Sequence, residues 1–206
     1  MTWSGRSIDE TYRQVRRGGR TFAAIMFLAA LASAPVQAAG TQQPSVVTPD
    51  TPFIEAIRDG DIEEIRAQLV KGQSLDARDK LGSPALFVAL QFGQHDMFRF
   101  LLDNGARVRA RDRAGDTLLA VLANTRYVDL AESVLKAGAD PDRYGANREP
   151  PLIIAARAGE REMVKLLLEY GADYEATDLT GRSALAIAEE RRYRAVADLL
   201  RDAGAY

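Results

Sequence analysis

The sequence predicts an all-α solenoid of five helix–turn–helix units joined by short β-turn or hairpin fingers, and three observations carry that prediction. Gly72, Gly105, Gly138, Gly171 and Gly204 stand 33 residues apart. Phe53, Leu86, Leu119, Leu152 and Leu185 keep the same interval, and so do Ala56, Ala89, Leu122, Ala155 and Ala188. Three independent registers with one period define an internal repeat. A repeat of that length buries its apolar face only by stacking on its neighbours.

Residues 1–38 precede the array and read as a cleaved secretory signal peptide. Arg16, Arg17 and Arg20 form a basic start, Thr21 to Ala34 is uncharged, and Val36-Gln37-Ala38 follows Pro35 as a small-residue cleavage pattern. The uncharged stretch is shorter than the ~20 apolar residues that span a bilayer. An uncleaved anchor is the alternative. Residues 39–50, rich in polar residues and containing Pro44 and Pro49, read as a flexible linker.

The units are expected at about 51–82, 83–115, 116–148, 149–181 and 182–206. Each opens with a short helix, and Thr51, Ser83, Thr117 and Ser183 stand where a hydroxyl accepts from an orphan helical amide. The fourth unit has Pro150-Pro151 instead. Gly60, Gly93 and Gly159 end the short helix, because glycine tolerates the backbone a helix end requires. A longer helix follows, with Met163, Val164, Leu167 and Leu168 at helical spacing, and Gly171-Ala172 leads into a polar finger. At the ends of the array Gln68 and Arg201 replace leucines and valine of the other units, as expected of helices that no further unit covers.

Composition narrows the chemistry. The chain holds 27 positive and 29 negative side chains, and five arginines and two acids of these lie in residues 1–38, so the remainder is acidic at −5. Nothing in that balance suggests nucleic acid. Without cysteine there is no disulfide, thiolate nucleophile or thiolate metal site. His95 is the only histidine and reads as a solvated or capping residue, and Glu63-Glu64, Asp140 with Asp142, and Glu189-Glu190 read as capping, finger or solvated positions. No catalytic, metal or cofactor site is expected.

The motifs then resemble a known family. Asp112 to Thr117, Asp178 to Gly181, Leu152 to Ala156 with Gly159, and Val164 to Asp173 are similar to the ankyrin repeat over about residues 50–206. The departures are definite: the usual histidine is replaced by Ile54, Phe87, Ala120, Ile153 and Ala186, so apolar packing must substitute for its hydrogen bond. Gly145 and Arg148 replace the usual Asp and Gly, and Arg126 and Arg192 fill the inter-helix glycine position, where a left-handed backbone strains a bulky residue.

The resemblance implies a non-catalytic module that binds a protein partner through a concave surface of fingers and short helices. Carried over by position, that surface comprises Lys80, Leu81, Ser83, Arg113, Asp116, Asn147, Glu149, Leu179 and Arg182 from the fingers, and Arg58, Gln91, Phe92, Asn124, Thr125, Arg157 and Glu190 from the short helices. Leu81 and Phe92 are either binding anchors or ordinary packed and exposed apolar residues. Arg107, Arg109, Arg111 and Arg113 alternate along one finger. If that finger is extended they form a stripe, either solvated or paired with Asp79, Asp112 and Asp116, or open to an acidic protein, an anionic lipid headgroup or another polyanion. The expectation is a bacterial periplasmic monomer that scaffolds or inhibits a protein partner, contacting membrane only if its leader stays uncleaved.

Overall fold

The structure is a computed structural model describing residues 50–205. The expected leader and the linker up to residue 49 lie outside the described residues. Among the described residues the helices come in five pairs: α1 (Pro52–Asp59) with α2 (Ile62–Val70), α3 (Ala85–Gln91) with α4 (His95–Asp103), α5 (Leu118–Ala123) with α6 (Val128–Lys136), α7 (Pro151–Ala158) with α8 (Arg161–Glu169), and α9 (Ala184–Glu190) with α10 (Arg194–Asp202). Short helices stack on short ones, α1 on α3 and α5 on α7 on α9, and long on long, α4 on α6 on α8 on α10. The result is an all-α solenoid.

The 33-residue registers are its core. Phe53, Leu86, Leu119, Leu152 and Leu185 are all buried, as are Ile65, Phe98, Ala131, Val164 and Ala197 from the long helices. Fully burying a side chain such as Leu or Phe contributes about 1.5–3 kcal/mol. One register of five therefore rivals the whole net stability of an ordinary domain, and the stack is held chiefly by apolar contact. Where the family's histidine is missing, Ile54, Phe87, Ala120 and Ile153 are buried, but Ala186 on the last short helix is exposed.

Capping follows expectation in three units and fails in one. Thr51, Thr117 and Ser183 each accept from the amide three residues on, at 3.4, 3.2 and 3.2 Å. Ser83 does not cap. Pro84 takes the N-cap position with an extended backbone and no side-chain cap, while the Ser83 amide turns back to Asp79 at 2.7 Å. His95 does not cap either: it is half-buried at the start of α4, its ring edge-on to Tyr127 at 4.5 Å.

The glycine substitutions split. Arg192 has φ 62, the left-handed strain expected, but Arg126 does not. In that turn the Thr125 hydroxyl donates to the Leu122 carbonyl at 2.7 Å and accepts from the Tyr127 amide at 3.3 Å, a local turn that needs no left-handed residue.

Four fingers link the units. Isolated antiparallel bridges Arg78 to Pro84, Arg111 to Thr117 and Thr177 to Ser183 close three of them. In the third, the Gly145 amide bonds the Glu149 carbonyl at 3.1 Å, and Arg148 takes φ 56. Gly145 is required by proximity: a Cβ there would lie 2.6 Å from the Asp116 carboxylate and 2.9 Å from the Ala120 methyl. The arginine run of the second finger is not extended. Turns at Val108-Arg109 and Arg113-Ala114 break it, so its four guanidinium groups do not form an alternating stripe.

Urea denaturation checks these assignments. Thr117→Ala should lower stability by about 1 kcal/mol, whereas Ser83→Ala should stay within about 0.5 kcal/mol of the parent. Arg148→Gly should raise stability by roughly 0.5–1 kcal/mol, relief of left-handed strain being partly offset by glycine's unfolded-state entropy.

Candidate functional site

Short helices and fingers of consecutive units border an open groove of about 700 Å³. Asp116, Asn124, Asn147, Glu149 and Arg157 line it, so the structure brings together five of the residues singled out by position. Tyr193, Arg191, Glu160 and Ile154 also line it and were not anticipated. Gly159 held the signal for Tyr193, because a Cβ there would meet the Tyr193 ring at 3.0 Å and the glycine leaves room for it.

Two of the charged members, Glu149 and Arg157, neutralise each other, and Glu160 pairs with Arg126 at 3.4 Å. The Arg157 guanidinium donates two bonds to Glu149, at 2.7 and 2.5 Å, and lies 3.7 Å from Asp178. Three periods earlier Arg58 is placed alike, paired with Asp50 and 3.7 Å from Asp79. In the last unit the signs are exchanged, Arg182 pairing with Glu190 at 3.0 Å and Asp178 at 2.9 Å. An ion pair at this register thus occurs in both polarities, in the first, fourth and fifth units. Gln91, Asn124 and Asn147 remain exposed as uncharged hydrogen-bonding groups. Thr125 is committed to its local turn.

Phe92 follows α3 with 47% of its surface exposed, and the Arg58 guanidinium lies 5.1 Å from the ring centre, within cation–π reach. Leu81 and Leu179, at 52% and 74%, stand out from the first and fourth fingers. Lys80 and Arg113 are exposed. Arg111 is half-buried with its guanidinium on the Gly115 carbonyl, and Arg78 makes the matching contact with Gly82 one period earlier. The carboxylate partners expected for the arginine run are engaged elsewhere: Asp79 faces Arg58, and Asp112 and Asp116 accept backbone amides. Only Arg107 finds an acid, Asp76 at 3.2 Å.

Two carboxyls are tuned by this network. The Thr180 hydroxyl, then the Arg182 amide, hold Asp178 well below the usual carboxylate range, and the ion pair raises Arg182 in turn. Burial opposes ionisation of Asp50, but the Lys80 amide and Arg58 outweigh it and lower that carboxyl as well. Among the described residues no three acid or histidine side chains converge to hold a metal, and no helix is long and apolar enough to cross a membrane.

Comparison with known families agrees with this geometry. The family described as ankyrin repeats (3 copies) matches residues 28–112, 53–144 and 117–206, and the chain belongs to it. Ankyrin repeats are general protein–protein interaction modules. None of the curated proteins compared with the chain matches it significantly.

A carboxyl depressed on folding contributes stability that is complete above its unfolded value of about 4 and is lost as pH falls toward the folded one. The melting temperature should therefore decline as pH drops below about 4. Asp178→Asn should lower it at pH 7 and flatten that acid decline, as read by calorimetry across pH.

Proposed function

We propose that the chain is a non-catalytic module exported to the periplasm, where it binds a protein partner through its concave face of fingers and short helices. The groove carries this reading. It is wide, open and shared by successive units, its Glu149–Arg157 pair is internally satisfied, and uncharged Asn124 and Asn147 are left to meet another surface, with Phe92 exposed beyond it at the end of α3. Uncharged groups and one aromatic ring favour a protein surface over a single small charged ligand, since aromatic side chains are the usual anchors of such contacts. The basic start and small-residue site of residues 1–38 support export.

Cross-linking and affinity capture from periplasmic extract tests the surface. The parent should retain a partner that Phe92→Ala weakens by roughly tenfold or more and that Asn124→Arg, which places a cation in the groove, abolishes. If both variants recover every complex intact, the binding face lies elsewhere. N-terminal sequencing of the exported protein should begin at Ala39 or Gly40; an intact leader would replace the free module with an anchored one.

A further inference from the structure

The fingers use their charges unequally. In the first three, every aspartate is bonded to a backbone amide: Asp76 to Arg107, Asp79 to Leu81 and Ser83, Asp112 to Asp116, Asp116 to Ala146, Asp140 to Asp142, and Asp142 to Asp173, all at 2.7–3.0 Å. Lys80, Arg109, Arg113, Arg143 and Arg148 of the same fingers are exposed, and among the described residues none has a carboxylate within ion-pair distance. The acids hold the fingers' shape, and the cations face outward.

Position makes these cations a series. Lys80 and Arg113 occupy the second place of consecutive four-residue turns, one period apart, and Arg148 the fourth place of the next turn. Arg109 and Arg143 border one small hollow, with Asp140 also in its lining. Arg148 stands where the other three fingers have Gly82, Gly115 and Gly181, all with positive φ, so the third finger carries a cation in a backbone conformation that disfavours it. Strain kept at an exposed charge points to a use for the charge. The series stops at the fourth finger, where Arg182 is held by Asp178 and Glu190, Asp173 and Glu175 are exposed acids, and the tip is the bare Leu179.

We propose that Lys80, Arg109, Arg113, Arg143 and Arg148 form a binding strip for an extended, acidic segment of the protein partner, a proposal that rests on the interaction reading above. Packed helices stand about 8–10 Å apart, and an extended chain advances about 3.3 Å per residue. A carboxylate at every third residue therefore meets one finger after another, and an apolar side chain beyond them meets Leu179. A flat anionic surface fits less well, because it would also meet exposed Asp76 and Asp140.

The test is fluorescence anisotropy of the full chain with a labelled peptide of about fifteen residues carrying Glu at every third position, against a peptide of the same composition with its glutamates clustered. The spaced peptide should bind better, lose affinity with added salt, and lose roughly tenfold or more with Lys80→Glu plus Arg113→Glu. Arg148→Gly should weaken it while raising the melting temperature, a split that a merely structural arginine does not give. No binding of the spaced peptide, equal binding of the two peptides, or tighter binding to anionic lipid vesicles overturns the proposal. Asn124→Arg separates the two readings. If the captured partner is lost with Asn124→Arg but kept with Lys80→Glu plus Arg113→Glu, the acidic strip fails and the interaction module stands.

Discussion

A finger of this fold is too short to hold itself together by strand pairing. At most one bridge closes it, and the amides of its turn would be left without acceptors. Aspartate carboxylates supply them, and every other property of the fingers depends on that choice. Asp79 and Asp178 each accept two amides of their own turn, while Asp50 and Asp116 accept one from the finger that follows. A carboxylate bonded to backbone amides keeps an oxygen for arginine as well, as Asp178 does for Arg182, Asp50 for Arg58 and Asp76 for Arg107. With the fingers' acids committed to backbone amides and to other arginines, Lys80, Arg109, Arg113, Arg143 and Arg148 are left exposed, and the local demand for hydrogen bonds helps set the electrostatic character of the surface.

The third finger shows how far that economy can shift. Its own aspartate is absent, and Gly145 stands there because the Asp116 carboxylate occupies the space a side chain would need. Asp116 then serves the Ala146 amide from the preceding finger. That bond is the counterpart, two periods on, of the one Asp50 makes to the Lys80 amide, so it persists beside a missing turn aspartate rather than replacing it.

The solenoid itself was legible because its causes are periodic: Phe53 and its equivalents recur at fixed intervals and each is buried by the same neighbours. The capping threonines were legible because the bond is local. Ser83 misled because the following proline shifts the cap by one residue, and Arg126 because the Thr125 hydroxyl offered another way to turn. The groove was legible in part. Asn124 and Asn147 follow from register, but Tyr193 enters from the following unit through the space left by Gly159. The arginine run was misjudged because alternation assumes an extended strand, and two tight turns intervene. Exchange of charge between Glu149–Arg157 and Arg182–Glu190 is visible in sequence only after the structure has shown that the two positions touch.

Polar links also join each finger to the next. Asp76 reaches the Arg107 amide, Thr117 donates to the Arg143 carbonyl at 3.4 Å, and Asp142 reaches the Asp173 amide. The stack is therefore tied along two parallel lines, one of apolar helix contacts and one of hydrogen-bonded fingers. Such a two-ply beam resists bending, because curving it one way must stretch one line against the other. A pull on one finger is thereby shared with its neighbours, because each is bonded to the next as well as seated on its own helices.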